Sequence, residues 1–168
     1  MAYKNKTYVA FDADSDIHYY RLMQAWKQND NTYFDFFYDA HTINDIRSWS
    51  TEASIKQGLR ERMLNSKVFV LLVGEKTRFQ NTYVRWEIEQ ALKLDLPIIV
   101  VYVDGARSMD EKKCPLILRD KLAIHVSFNR AIMQYALEHW PAKHVSRTAD
   151  GDNGAYYYKD AVYKDLGL

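Results

Sequence analysis

Short apolar runs alternate along the chain with longer stretches in which apolar residues recur at helical spacing. The runs lie at residues 6–11, 33–38, 68–73, 98–103 and 122–126. Two of them, 68–73 and 98–103, are apolar throughout, which is typical of strands covered on both faces of a sheet. The amphipathic stretches between the runs predict helices at residues 17–28, 51–65, 82–94 and 131–139.

This alternation predicts the fold class. Strand–helix–strand units join parallel strands through right-handed crossovers. We therefore expect an α/β fold, a three-layer sandwich of the flavodoxin type with a central, parallel, five-stranded sheet. Pro141 predicts the end of the last of these helices, because proline lacks the N–H that a helix interior uses.

The chain changes character after residue 141. Residues 148–154 are rich in Gly, Asp and Asn, which are turn formers. In the segment 155–166, Tyr158, Val162 and Leu166 recur every four residues, which predicts a helix with one apolar face. We expect an α/β domain over residues 1–141, followed over 142–168 by a linker and a Tyr-rich helical extension packed on that domain. The alternative is that this apolar face packs against another subunit.

Composition limits the kinds of function. The 168 residues include 23 Lys and Arg against 22 Asp and Glu, and this balance excludes a bulk nucleic-acid binder. No stretch approaches the roughly 20 apolar residues of a membrane span, and the first residues lack the apolar core of a signal peptide. Cys114 is the single cysteine, so neither an intrachain disulfide nor a thiolate metal cluster is expected. The predicted protein is cytoplasmic, with no metal and no cofactor.

Acidic residues follow the first two strands. Ligands of open parallel sheets bind beyond the carboxyl ends of the strands, where Asp12 and Asp39 are expected to lie. A strand followed by Asp12-Ala13-Asp14 also occurs in phosphoaspartyl hydrolases of the haloacid dehalogenase type, which is one alternative interpretation. Those enzymes require a Ser or Thr at the end of a later strand, whereas the central strand here ends at Gly74.

Glu87 is the strongest single candidate for a catalytic group. A helical projection places it at the flank of the apolar stripe that contains Val84 and Ile88, whereas Glu89 points toward water. It also lies in the first turn of its helix, where the helix dipole favours a carboxylate. An ordinary acidic residue at a helix N-terminus is the alternative interpretation.

A longer pattern surrounds Glu87. An apolar strand ends at Gly74, Thr77 follows, and residues 83–88 read Tyr-Val-Arg-Trp-Glu-Ile. This stretch resembles the TIR-like domains of the Thoeris ThsB group, which carry Trp-Val-x-x-Glu-Ile, with Tyr83 here in place of Trp. The similarity extends over about residues 6–105, although the Ser-Phe pair usual in the family's first strand is replaced.

The resemblance implies an enzyme that cleaves NAD. TIR-like enzymes of this kind break the nicotinamide–ribose bond, as NAD glycohydrolases or ADP-ribosyl cyclases do. Many convert the ADP-ribose moiety into a cyclic or conjugated signal, which activates a separate effector protein in bacterial anti-phage defence. The catalytic glutamate of the family corresponds to Glu87, and NAD is a substrate rather than a cofactor. A non-catalytic TIR-like module that assembles through its surface, including into a homo-oligomer, is the alternative.

Further residues are expected to contact NAD. Aromatic rings can stack on nicotinamide or adenine, an arginine can pair with the pyrophosphate, and acidic residues can line the crevice. The predicted substrate-binding residues are Phe11, Asp12, Asp39, Arg47, Trp49, Tyr83 and Trp86.

Overall fold

Strands and helices alternate along the chain, as the apolar pattern predicts. The computed structural model describes residues 6–28, 37–38 and 51–168. The strands in these ranges are β1 (Lys6–Ala10), β2 (Phe37–Tyr38), β3 (Val68–Val73), β4 (Ile98–Tyr102), β5 (Ala123–Ser127) and β6 (Ala155–Tyr157). The helices are α1 (Ala13–Gln28), α2 (Glu52–Leu64), α3 (Val84–Lys93), α4 (Arg130–Ala149) and α5 (Asp160–Asp165).

All six strands belong to one sheet, in the order β2-β1-β3-β4-β5-β6. Every neighbouring pair is parallel; Tyr8 of β1, for example, is in register with Phe69 of β3. Five of the strands are those predicted for the central sheet, so the α/β fold class is confirmed. The sixth strand was not predicted.

Helices cover both faces of this sheet. Side chains of β3 alternate between the faces, and all six are buried. Val68, Val70 and Leu72 pack on one face with α1 and α4, and we call this the α1/α4 face. Phe69, Leu71 and Val73 pack on the other with α2 and α3, the α2/α3 face. Within the described ranges, no helix combines the length and the apolar character that a membrane crossing needs.

The helix α4 passes through Pro141, which was predicted to end it. Asn129 caps α4 by accepting hydrogen bonds from the N–H groups of Ala131 (2.8 Å) and Ile132 (3.5 Å), and the helix continues to Ala149. Trp140 and His144 are buried on either side of the proline, so packing offsets the hydrogen bond that proline cannot donate. Residues 142–149, predicted to belong to a linker, are therefore helical.

The segment after residue 154 begins as a strand and not, as predicted, as a helix. Residues 155–157 add to the edge of the sheet as β6, in parallel with β5. Tyrosine favours strands, and the edge of β5 offers backbone partners that a helix would leave unpaired. The following helix, α5, buries Tyr163 fully in the core of the α1/α4 face, where its hydroxyl accepts a hydrogen bond from the N–H of Ser127 at 3.3 Å.

The replacement Tyr163→Ala is expected to lower the free energy of unfolding by about 3–5 kcal/mol, because it empties a buried aromatic site. Tyr157 is 63% exposed, so Tyr157→Ala is the matched control and should cost much less. Urea unfolding measures both. Since the contacts lie within one chain, the loss should not depend on protein concentration; an unchanged midpoint for Tyr163→Ala would contradict the packing.

Candidate active site

Glu87 occupies the first turn of α3, the helix that follows β3 in the chain. Its backbone N–H donates to the carbonyl oxygen of Tyr83 at 2.8 Å, closing that first turn. Its side chain is 0% exposed. The helical projection places Glu87 at the flank of the apolar stripe, and in the folded chain that flank is covered entirely.

The carboxyl group of Glu87 is held by Tyr8, which was not among the predicted site residues. The hydroxyl of Tyr8 donates a hydrogen bond to Glu87 Oε2. Tyr8 lies in β1, has no exposed surface, and stacks its ring on Phe69 with centroids 5.7 Å apart and planes 10° from parallel. A buried tyrosine hydroxyl requires a hydrogen-bond partner. This requirement was the signal in the sequence that could have identified Tyr8.

Burial changes the acidity of Glu87. Removal from water raises its pKa to about 8, and the hydrogen bond from Tyr8 opposes part of this rise because it favours the charged form. Near neutral pH the carboxyl group is therefore mostly protonated while no ligand is bound. A buried acid that titrates close to the working pH is a typical feature of catalytic sites.

Two further acids are buried where β1 ends and α1 begins. Asp12 caps α1: its Oδ1 accepts from the N–H of Asp14 at 3.2 Å, and its carbonyl oxygen accepts from the N–H of Asp16 at 2.8 Å. Asp12 Oδ2 is buried with no hydrogen-bond partner in the described part of the chain. It is an acceptor that a hydroxyl or amide donor of a ligand can satisfy.

Asp16 reaches across from α1 to the end of β3. The hydroxyl of Thr77 lies 3.5 Å from Asp16 Oδ2 and accepts a hydrogen bond from the N–H of Gly74 at 2.8 Å. Burial, and secondarily the charge of Asp12, raises the pKa of Asp16. Thr77 belongs to the pattern that resembles the ThsB group, whereas Asp16 was not among the predicted site residues. Together they tie the end of β3 to the start of α1.

The structure brings some predicted aromatic residues near Glu87 and separates another from it. Tyr83 and Trp86 are half-buried on α3 and pack against the core of the α2/α3 face. Phe11 is buried on the α1/α4 face, where it stacks on Tyr20 at 4.9 Å. Its ring therefore lies across the sheet from Glu87, and its contact with substrate stays a prediction. Asp39, Arg47 and Trp49 lie outside the described residues.

More than half of the chain matches the model of a known protein family. The model described as Thoeris protein ThsB, TIR-like domain, matches residues 8–108. The chain belongs to this family.

The ThsB TIR-like domains belong to the Thoeris family of anti-phage defence proteins. The matched range starts at Tyr8, ends shortly after β4 and includes Glu87. It confirms the resemblance inferred from the pattern around Glu87. The helices α4 and α5 and the strands β5 and β6 lie beyond it.

Among the described residues of this ThsB TIR-like domain, no group of three or more His, Cys, Asp or Glu side chains is placed to hold a metal ion. Asp12 and Asp16 are two buried carboxyl groups, and the charges of His18 and Glu75 also act on Asp16. The chemistry that the described site offers is that of carboxyl groups, hydroxyls and half-buried rings.

Gly74 of the ThsB TIR-like domain is expected to resist substitution. A methyl group built on it would lie 2.5 Å and 2.6 Å from the two carboxyl oxygens of Asp16. Gly74→Ala should lower the free energy of unfolding by roughly 1–3 kcal/mol, as overpacking does. The double variant Asp16→Ala/Gly74→Ala should recover most of that loss, measured by urea unfolding. An equal loss in the single and double variants would show that Asp16 is not the obstacle.

Proposed function

We propose that this domain cleaves the nicotinamide–ribose bond of NAD and converts the ADP-ribose moiety into a cyclic or conjugated signal. The signal would be a diffusible nucleotide that activates an effector protein in Thoeris defence. The observation that carries the proposal is Glu87: a fully buried carboxyl group in the first turn of α3, hydrogen-bonded by Tyr8, in a chain of the ThsB TIR-like family.

The chemistry of the bond suits a single carboxylate. Nicotinamide leaves NAD as a neutral molecule, so the reaction needs no strong general acid. Positive charge moves from the pyridinium ring to the ribose as the bond breaks, giving an oxocarbenium-like transition state. A carboxylate beside the ribose stabilises that charge, and it does so more strongly in a buried site than in water.

The raised pKa of Glu87 is consistent with a carboxyl group that is neutral in the empty site and charged when NAD is bound. Without ligand, burial of the neutral carboxyl group costs less free energy than burial of the carboxylate. The pyridinium of bound NAD would bring an opposite charge, which lowers the pKa of a neighbouring acid. Binding of NAD would then release the proton of Glu87 and produce the carboxylate that the cleavage step requires.

The remaining residues would recognise the other parts of NAD. The buried Oδ2 of Asp12 is an acceptor for a hydroxyl or amide donor of the substrate. Tyr83 and Trp86 offer half-buried ring surface on the helix that carries Glu87. The fate of ADP-ribose would depend on how completely the site excludes water, since water competes with a nucleophile on the same molecule.

Incubation of the purified chain with NAD, with nicotinamide release followed by chromatography, tests the proposal. We expect kcat/KM to rise with pH and to reach half its maximum near pH 8, because this ratio reports the free enzyme and the carboxylate is the active form. The profile of kcat should reach half its maximum at lower pH, since bound NAD favours the carboxylate.

Basal activity of such enzymes can depend on a trigger, so the assay is repeated with phage-infected cell extract and with a crowding agent. An absence of nicotinamide release under all of these conditions would contradict the proposed function. A kcat/KM profile that falls as pH rises from 6 to 8 would contradict the role of Glu87 as a carboxylate.

A further inference from the structure

We propose that Tyr8 is a positioning residue, whose buried hydroxyl fixes the orientation of the Glu87 carboxyl group for reaction. The inference rests on the proposed function, in which Glu87 is the catalytic carboxylate. Tyr8 donates its hydroxyl hydrogen to Glu87, so it acts through Glu87 and not by touching the substrate.

The position of the Tyr8 hydroxyl is set by the sheet. Tyr8 is paired in register with Phe69 between two central strands, and its ring stacks on the Phe69 ring. A glutamate side chain has several rotatable bonds, so a helix alone leaves its carboxyl group several orientations. The hydrogen bond to Oε2 selects one of them from a rigid neighbouring element. Small displacements of a reacting group can cost about 100-fold in rate.

Tyr8 also favours the charged state that the reaction needs. Its hydroxyl donates to Glu87, which stabilises the carboxylate against the effect of burial. Two charged side chains of α2 and α3 have ion-pair partners other than Glu87. Lys56 is paired with Glu52 at 2.6 Å, and Arg85 is paired with Glu89 at 3.2 Å. The hydrogen bond from Tyr8 lowers the pKa of Glu87.

The variant Tyr8→Phe removes the hydroxyl and keeps the ring that packs on Phe69. Tyr102→Phe is the matched control: Tyr102 is also fully buried on the α2/α3 face, but its hydroxyl is hydrogen-bonded to His125 Nδ1 at 2.9 Å. Both variants lose one buried hydroxyl from the same core. Only the first loses a contact with Glu87.

In Tyr8→Phe we expect kcat for NAD cleavage at pH 7 to fall roughly 10- to 100-fold, the effect of one hydrogen bond to a charged group, with KM little changed. The half-maximal point of the kcat/KM profile should move to higher pH, because Glu87 has lost the hydrogen bond that favours its charge. Tyr102→Phe should keep the wild-type profile. Equal kinetic losses in the two variants, or an unmoved profile in Tyr8→Phe, would overturn the inference.

A titration that needs no substrate separates this inference from the proposed function. The Glu87 carboxyl carbon is followed by NMR in protein labelled with ¹³C-glutamate, and Glu87→Gln assigns its signal. Tyr8→Phe should raise the pH at which this signal titrates, while Tyr102→Phe leaves it in place. An unshifted titration in Tyr8→Phe refutes the coupling even where NAD is cleaved. A shifted titration in a protein that cleaves no NAD supports the coupling and refutes the proposed function.

Discussion

Replacement of Glu87 by glutamine is expected to slow NAD cleavage roughly 100- to 1000-fold, which is the typical cost of removing one electrostatic contact from a transition state. Glutamine has the shape of glutamate and can still accept a hydrogen bond from Tyr8, so the fold and the local packing are kept. It carries no charge, and therefore it cannot stabilise the cationic ribose. The rate of nicotinamide release from NAD measures the effect.

Glu89→Gln is the control for this experiment. Glu89 lies on the same helix, is partly exposed, and is paired with Arg85 at 3.2 Å. Its replacement removes the same charge from α3 without touching the buried site, and activity should stay close to that of the wild type. Equal rates for Glu87→Gln and the wild type, with both proteins folded, would rule out Glu87 as the catalytic group.

The same replacement is expected to stabilise the fold, increasingly so as pH rises. The pKa of Glu87 is about 8 in the folded protein, against an ordinary value of 4.5. Between these two pH values the folded state keeps a proton that the unfolded state has released, so the free energy of unfolding of the wild type falls as pH rises. Glutamine has no proton to release. The gain should therefore be small near pH 4 and on the order of 4 kcal/mol near pH 8.

Urea unfolding of the wild type, Glu87→Gln and Glu89→Gln between pH 5 and pH 9 tests this expectation. The difference between Glu87→Gln and the wild type should grow steadily across the lower part of the range and level off above pH 8. Glu89→Gln should follow the wild type at every pH. If the curves of Glu87→Gln and the wild type stay parallel, Glu87 is not buried in its neutral form.

The central strands could be predicted from the sequence because their signal is local and strong. The run at residues 68–73 is apolar throughout, and only a strand buried on both faces accommodates such a run over so short a length. The helix α3 was predicted for a similar reason, since its apolar residues fall on one stripe that packs against the sheet.

Features decided by tertiary contacts could not be predicted in this way. Pro141 is a strong local signal for a helix end, yet the burial of Trp140 and His144 outweighs it. Residues 155–157 show tyrosines that suit a strand as well as a helix. Their conformation depends on the open edge of β5, which no local pattern reveals.

The candidate site was predicted in part for the same physical reason. The position of Glu87 on its helix follows from spacing alone, but a helical projection does not show which strand the residue faces. The structure places Glu87 against Tyr8, and alternation along β1 then directs Val9 and Phe11 to the opposite face. Glu87 therefore lies beside Tyr8 and across the sheet from Phe11, and this pairing is a long-range contact that the spacing of residues does not show.

The burial of Glu87 also has an evolutionary consequence. An ionisable acid in a core lowers stability, and most proteins have little stability to spare. A lineage that no longer needed the reaction would gain stability at once from a single change to glutamine or to an apolar residue. Under the proposed function, purifying selection for the reaction would keep the acid in place, whereas the partly exposed Glu89 would be under no such selection. Under that proposal, an acidic residue at this position in a ThsB TIR-like chain would mark retained chemistry rather than retained fold.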